Sequence, residues 1–92
     1  MHELGVLCQI VKKVSKIAMQ NGIHAVKHIT LEVGTESDYV PVFLKKLFPL
    51  AVEQIPELQN AELKLEFVPG KPMIVGSQGH AGAVDIVTVA GE

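Results

Sequence analysis

The chain has 92 residues, 48% of them apolar, with mean hydropathy +0.32, which fits one globular domain and excludes a multidomain or natively unfolded chain. Eight lysines, no arginine and ten acidic residues give a net charge of -2; with no basic stripe, nucleic acid and anionic membranes are poor partners, and without the guanidinium fork a phosphate-handling enzyme is disfavoured. The single cysteine, Cys8, allows neither an internal disulfide nor a four-thiolate zinc site and points to a reducing compartment.

His2 and Glu3 stand where a secretory signal would carry a basic segment, and no run approaches about 18 apolar residues, so a cytoplasmic protein is expected. From Leu4 to Met19 the apolar positions Leu7, Ile10, Val11, Val14, Ile17 and Ala18 recur at spacings of three and four, which predicts an amphipathic helix ended by Asn21-Gly22. Val26 to Val33 changes to a period of two and predicts a strand, with Ile29, Leu31 and Val33 inward and His28, Thr30 and Glu32 outward. Pro41 suits a first helical position, and a second helix is expected from there to about Gln54, burying Phe43, Leu44, Leu47, Phe48 and Ala51, with a kink or break at Pro49. Ala61 to Val68 alternates strictly and predicts a second strand, with Leu63, Leu65 and Phe67 on its apolar face and Glu62, Lys64 and Glu66 sharing the polar face of the sheet with Glu32. A glycine-rich connection, about 71–82, precedes a third strand from Val84 to Val89. The fold class that follows is α+β: a two-layer sandwich, one domain over 1–92, with two helices on one face of a three-stranded mixed sheet.

The candidate chemistry lies in Met1-His2-Glu3. A histidine at position 2 can set its imidazole, its own amide nitrogen and the α-amine of Met1 around one ion in fused chelate rings, and Glu3 can add its amide nitrogen or its carboxylate. Square-planar nitrogen sets of this kind favour Ni(II) or Cu(II) over tetrahedral Zn(II). Met1 is expected to persist, because removal of the initiator generally needs a small second residue.

His24 and His28 stand four apart; on a strand rising about 3.3 Å per residue they lie ~13 Å apart and cannot share an ion, so both are expected on the surface or sheet face. His80, in the glycine-rich connection, is a candidate auxiliary ligand. Cys8 is expected to be a small buried hydrophobe beside Leu7 and Val11. No Ser-His-Asp set, phosphate loop or acid pair stands at recognisable spacing, so no enzyme is expected.

The start MHELGVLCQIV, the strand end LEVG at Leu31 to Gly34, Val40-Pro41, and AELKLEFVPG from Ala61 to Gly70 occur in order and at suitable intervals. Together they resemble the HypA family, nickel metallochaperones that serve maturation of nickel-iron hydrogenase and, in some organisms, urease. The resemblance covers Met1 to Gly70 well and Ala83 to Glu92 loosely. It implies Ni(II) as the metal, His2 as the side-chain ligand, and Glu3 as a participant through its backbone or through an influence on transfer. It also implies a HypB-like maturation GTPase and the hydrogenase large-subunit precursor as partners. One departure is large: HypA-like proteins carry a zinc domain with two CxxC pairs between the VPG turn and the last strand, where this sequence has Lys71 to Gly82 and no cysteine. No structural zinc is therefore expected, whether the lobe was lost naturally or by engineering. The competing expectation is a metal-free interaction module of the same fold, and a homodimer, for instance by domain swapping through the short connection, is compatible with either.

Overall fold

A computed structural model describes residues 2–35, 39–69 and 84–92, with His2 described in its backbone alone. The chain opens with α1 (His2–Gln20), whose stripe of Val6, Leu7, Ile10, Val11, Val14 and Ala18 is buried, because spacings of three and four return to one helical face. It ends in a Schellman motif. Gly22 takes φ +70, Gly22 N–H donates to Met19 C=O at 3.3 Å, and Ile23 N–H donates to Ala18 C=O at 2.8 Å, so terminal carbonyls that lack helical partners are satisfied. The helix starts ahead of Leu4, which brings His2 and Glu3 into helical backbone.

Next come β1 (Val26–Gly34), α2 (Pro41–Ala51), a single 3-10 turn at Pro56–Leu58, β2 (Glu62–Val68) and β3 (Val84–Gly91). Among the described residues the sheet order is β2-β1-β3. β2 runs parallel to β1, with Ile29 opposite Leu63 and Leu31 opposite Leu65; β3 runs antiparallel to β1, with Ile29 opposite Val89 and Val33 opposite Val84. The helices cover one face, where Leu7, Ile29, Leu31, Leu44 and Leu58 are fully buried, each contributing about 1.5 to 3 kcal/mol of transfer free energy. The other face carries the outward set: His28 opposite Glu62, Thr30 opposite Lys64, and Glu32 between Glu66 and Asp85.

Two irregularities shape β3. Thr30 pairs with Thr88 and Leu31 with Ile86, so Val87 is an extra residue that bulges outward and is 48% exposed. At the far end Gly91 lies against the chain before β1; a Cβ there would sit 2.1 Å from Ala25 O and 2.8 Å from Val26 Cα. Only glycine fits that approach.

Three expectations need correction. α2 runs through Pro49 without a break and stops at Ala51, short of Gln54. Proline here removes one bond in the last turn, on a face where both Lys45 and Pro49 are exposed and water can reach the Lys45 carbonyl. Phe43 is 44% exposed, because Leu44 and Phe48 define the buried stripe of α2 and Phe43 stands about 100° around the helix from Leu44. Phe67 keeps its place in the alternation but lies at the sheet margin and is 53% exposed. No described helix is long and apolar enough to cross a membrane.

Candidate metal centre

The first turn of α1 is built around a buried carboxylate. Glu3 is 4% exposed, the one charged residue in the core among those described, and burial of a carboxylate requires hydrogen bonds to replace water. Its Oε2 accepts the backbone N–H of Val40 at 2.9 Å. Val40 is the N-cap of α2, with φ -92 and ψ 116, and its apolar side chain supplies no cap. Nor does α2 have an acid in its own first turn. Glu3 does what the acid of a capping box does: it accepts the N-cap residue's own N–H and sets a negative charge at the positive end of that helix. Glu3 is also the acid in the first turn of α1, so one carboxylate serves two helix N-termini.

This anchoring fixes the position of His2. His2 is the first helical residue, and no preceding turn supplies an intrahelical acceptor for its amide. The backbone nitrogen invoked for chelation therefore stands at the open end of the helix, immediately before a residue held by α2. Met1, the His2 side chain and His80 lie outside the described residues.

The remaining candidates are placed as follows. His24 precedes β1 in a bend, is exposed, and donates its N–H to Glu92 C=O at 2.7 Å; the strand reading for it is corrected, since β1 starts at Val26. His28 is exposed on the outer face, with Nδ1 3.7 Å from Glu62 Oε1. Cys8 is half-buried and free. Among the described residues no group of three or more His, Cys, Asp or Glu side chains is placed to hold a metal ion.

Sequence reasoning missed a polar link far from the N-terminus. Ser15 Oγ–H donates to Glu57 Oε2 at 2.5 Å, tying the 3-10 turn to α1. That bond, helped by the backbone of Glu57, holds the Glu57 carboxyl below its ordinary pKa against a weaker opposing effect of desolvation. Ser15 and Glu57 line a cavity of about 290 Å3 with Ala18, Met19, Gly22, Ile23 and His24. No local pattern signals the pair, because its members are 42 residues apart.

Residues 1–73 match the family described as hydrogenase/urease nickel incorporation, metallochaperone, hypA. The hydrogenase maturation factors HypA of Methanosarcina barkeri and Methanosarcina mazei are each 38% identical to the chain over 86 residues, 92% of its length. That alignment covers 62% and 60% of the two relatives, so the chain spans about three fifths of their length. The solution structure of the Ni metallochaperone HypA from Helicobacter pylori superposes with a TM-score of 0.78, over 97% of this chain and 96% of that one. At 15% identity this likeness shows the fold alone.

Proposed function

Because the chain belongs to the family of hydrogenase/urease nickel-incorporation metallochaperones, HypA, we propose that it carries Ni(II) as cargo at Met1-His2-Glu3 and delivers it during maturation of a nickel enzyme. The α-amine of Met1, the amide nitrogen and imidazole of His2, and the amide nitrogen of Glu3 form the donor set. The observation that carries this assignment is the engagement of the Glu3 carboxylate with Val40 N–H, which favours the Glu3 backbone over its side chain as the fourth donor. Planar nitrogen donors suit Ni(II). His80 remains an auxiliary ligand in this proposal.

The role is that of a carrier rather than a catalyst. A site at a chain terminus can release its ligands one at a time, which suits transfer to a recipient. The recipients proposed are a HypB-like GTPase and the hydrogenase large-subunit precursor; the relatives named as hydrogenase maturation factors favour hydrogenase over urease as the final target. With one cysteine in 92 residues, the chain offers no CxxC pair for structural zinc.

The test is a Ni(II) titration of an untagged chain beginning at Met1. A square-planar d-d band and proton release are expected; His2→Ala abolishes tight binding while the circular dichroism of the apo-protein is unchanged. A residual Gly-Ser extension weakens binding as well, since it turns the α-amine into an amide. Equal affinity in His2→Ala would show that the site is wrongly placed, and a parent that binds no nickel would favour the metal-free interaction module.

A further inference from the structure

Among the described residues β2 is an edge strand. Its one neighbour among them is β1, and Thr35 N–H donating to Val68 C=O at 2.8 Å fixes the phase of that parallel ladder. Glu62, Lys64, Glu66 and Val68 therefore turn their backbone groups toward β1. The alternate residues Leu63, Leu65 and Phe67 turn N–H and C=O outward. Such an edge is a template for another strand unless it is blunted. The same edge borders a groove of about 350 Å3 lined by Pro41, Val42, Lys45, Lys64, Leu65 and Phe67, and Val42 and Phe67 are both more than half exposed.

We propose that β2 is the interface of a symmetric homodimer, pairing antiparallel with β2 of a second copy about a two-fold axis at Leu65. A two-fold interface must be self-complementary, and the sequence ELKLEFV of β2 meets that demand in one full-length register. The backbone phase admits registers that set outward-turned residues opposite each other. Centring on Lys64 would oppose Lys64 to itself and Glu62 to Glu66; centring on Glu66 would oppose Glu66 to itself. Like charges directly opposite are destabilising. Centring on Leu63 opposes Glu62 to Lys64 but overlaps the strands only from Glu62 to Lys64.

Centring on Leu65 uses the whole of Glu62–Val68. Lys64 then faces the partner's Glu66 twice on the polar side, at the non-hydrogen-bonded positions where side chains come closest. On the apolar side Leu63 faces the partner's Phe67 and Leu65 faces the partner's Leu65, covering the exposed Phe67 ring beside the groove. Each outward N–H and C=O of Leu63, Leu65 and Phe67 gains a backbone partner. Lys64 and Glu66, on either side of the central Leu65, thus exclude the registers slipped by one residue and select this one.

The test is sedimentation of the full chain from micromolar to millimolar protein, with Lys64→Glu, Glu66→Lys and the double exchange. Lys64 and Glu66 are exposed on the outer face, so the apo-protein circular dichroism should be the same in all four proteins. The parent is expected to dimerise, each single reversal to weaken dimerisation by about tenfold or more, and the double exchange to recover the parental constant. A parent that stays monomeric throughout, single reversals that dimerise as well as the parent, or a double exchange that fails to recover would each overturn the proposal. A dimer formed by domain swapping would show the second of these outcomes.

Discussion

The Glu3 carboxylate accepts the Val40 N–H at 2.9 Å across 37 residues of sequence, joining the first turn of α1 to the N-cap of α2. Two helices that meet in the core are thereby fixed end to end by one side chain, and that side chain belongs to the tripeptide proposed to hold nickel.

Glu3→Ala is expected to destabilise the fold by about 1 to 2 kcal/mol, the loss associated with a helix cap. Glu3→Gln retains an acceptor oxygen and should recover most of the loss. Urea unfolding of the apo-protein measures both; a Glu3→Ala variant as stable as the parent would show that the hydrogen bond to Val40 contributes nothing.

Two glycines should respond in opposite senses to the same substitution. Gly91→Ala drives a methyl group into the Ala25 carbonyl and is expected to cost about 1 to 3 kcal/mol, as overpacking does. Gly5 lies in α1, and a Cβ added there would meet nothing within 4 Å, so Gly5→Ala should stabilise by about 0.5 to 1 kcal/mol through the lower entropy of its unfolded chain. Thermal or urea unfolding of the two variants distinguishes them by sign.

The Ser15–Glu57 link predicts a pH-dependent stability. The folded-state pKa of Glu57 lies below its ordinary value, so the carboxylate contributes stability above the unfolded pKa and loses it as pH falls through the folded one. Ser15→Ala should therefore differ from the parent by about 0.5 to 1 kcal/mol at neutral pH, and the difference should shrink on acidification below that folded value. Alanine also raises helix propensity, but that effect does not titrate. A difference independent of pH would locate the effect in the helix rather than in the carboxylate.

Nickel binding should depend on pH in another window. The imidazole has a reference pKa of ~6.5 and the α-amine one of ~7.7 to 8.0, and bound amides must lose their protons, so protons compete at each donor. Apparent affinity is expected to fall as pH drops from about 8 to 6, while the aliphatic core keeps the circular dichroism of the apo-protein nearly constant. Affinity that stays flat across the window would point to carboxylate donors instead.

The elements are legible in the sequence because each repeats its own periodicity. The three-and-four spacing from Leu7 to Ala18 and the alternation from Leu63 to Leu65 report burial from local order alone. Pro49 misleads because its effect depends on where the helix stops, and Phe43 because a run of apolar residues does not by itself identify the buried stripe. The role of Glu3 is the least legible. An acid at position 3 resembles a solvated first-turn residue until α2 arrives, and the Val40 amide that binds it is distant in sequence. The self-complementarity proposed for β2 is written in the order Lys64, Leu65, Glu66, but that order gains a meaning only from the place of β2 at the margin of the sheet among the described residues.

The central position of β1 has a kinetic corollary. With the Thr35–Val68 bond setting the phase, the amides of Ile29, Leu31 and Val33 bond to β2, while those of His28 and Thr30 bond to β3. Neighbouring amides on one strand thus record different opening events. In native-state hydrogen exchange, detachment of β3 would release His28 and Thr30 while Ile29 and Leu31 remained protected. Since β3 joins from the far end of the sequence, its docking is also the long-range closure that should come late in folding.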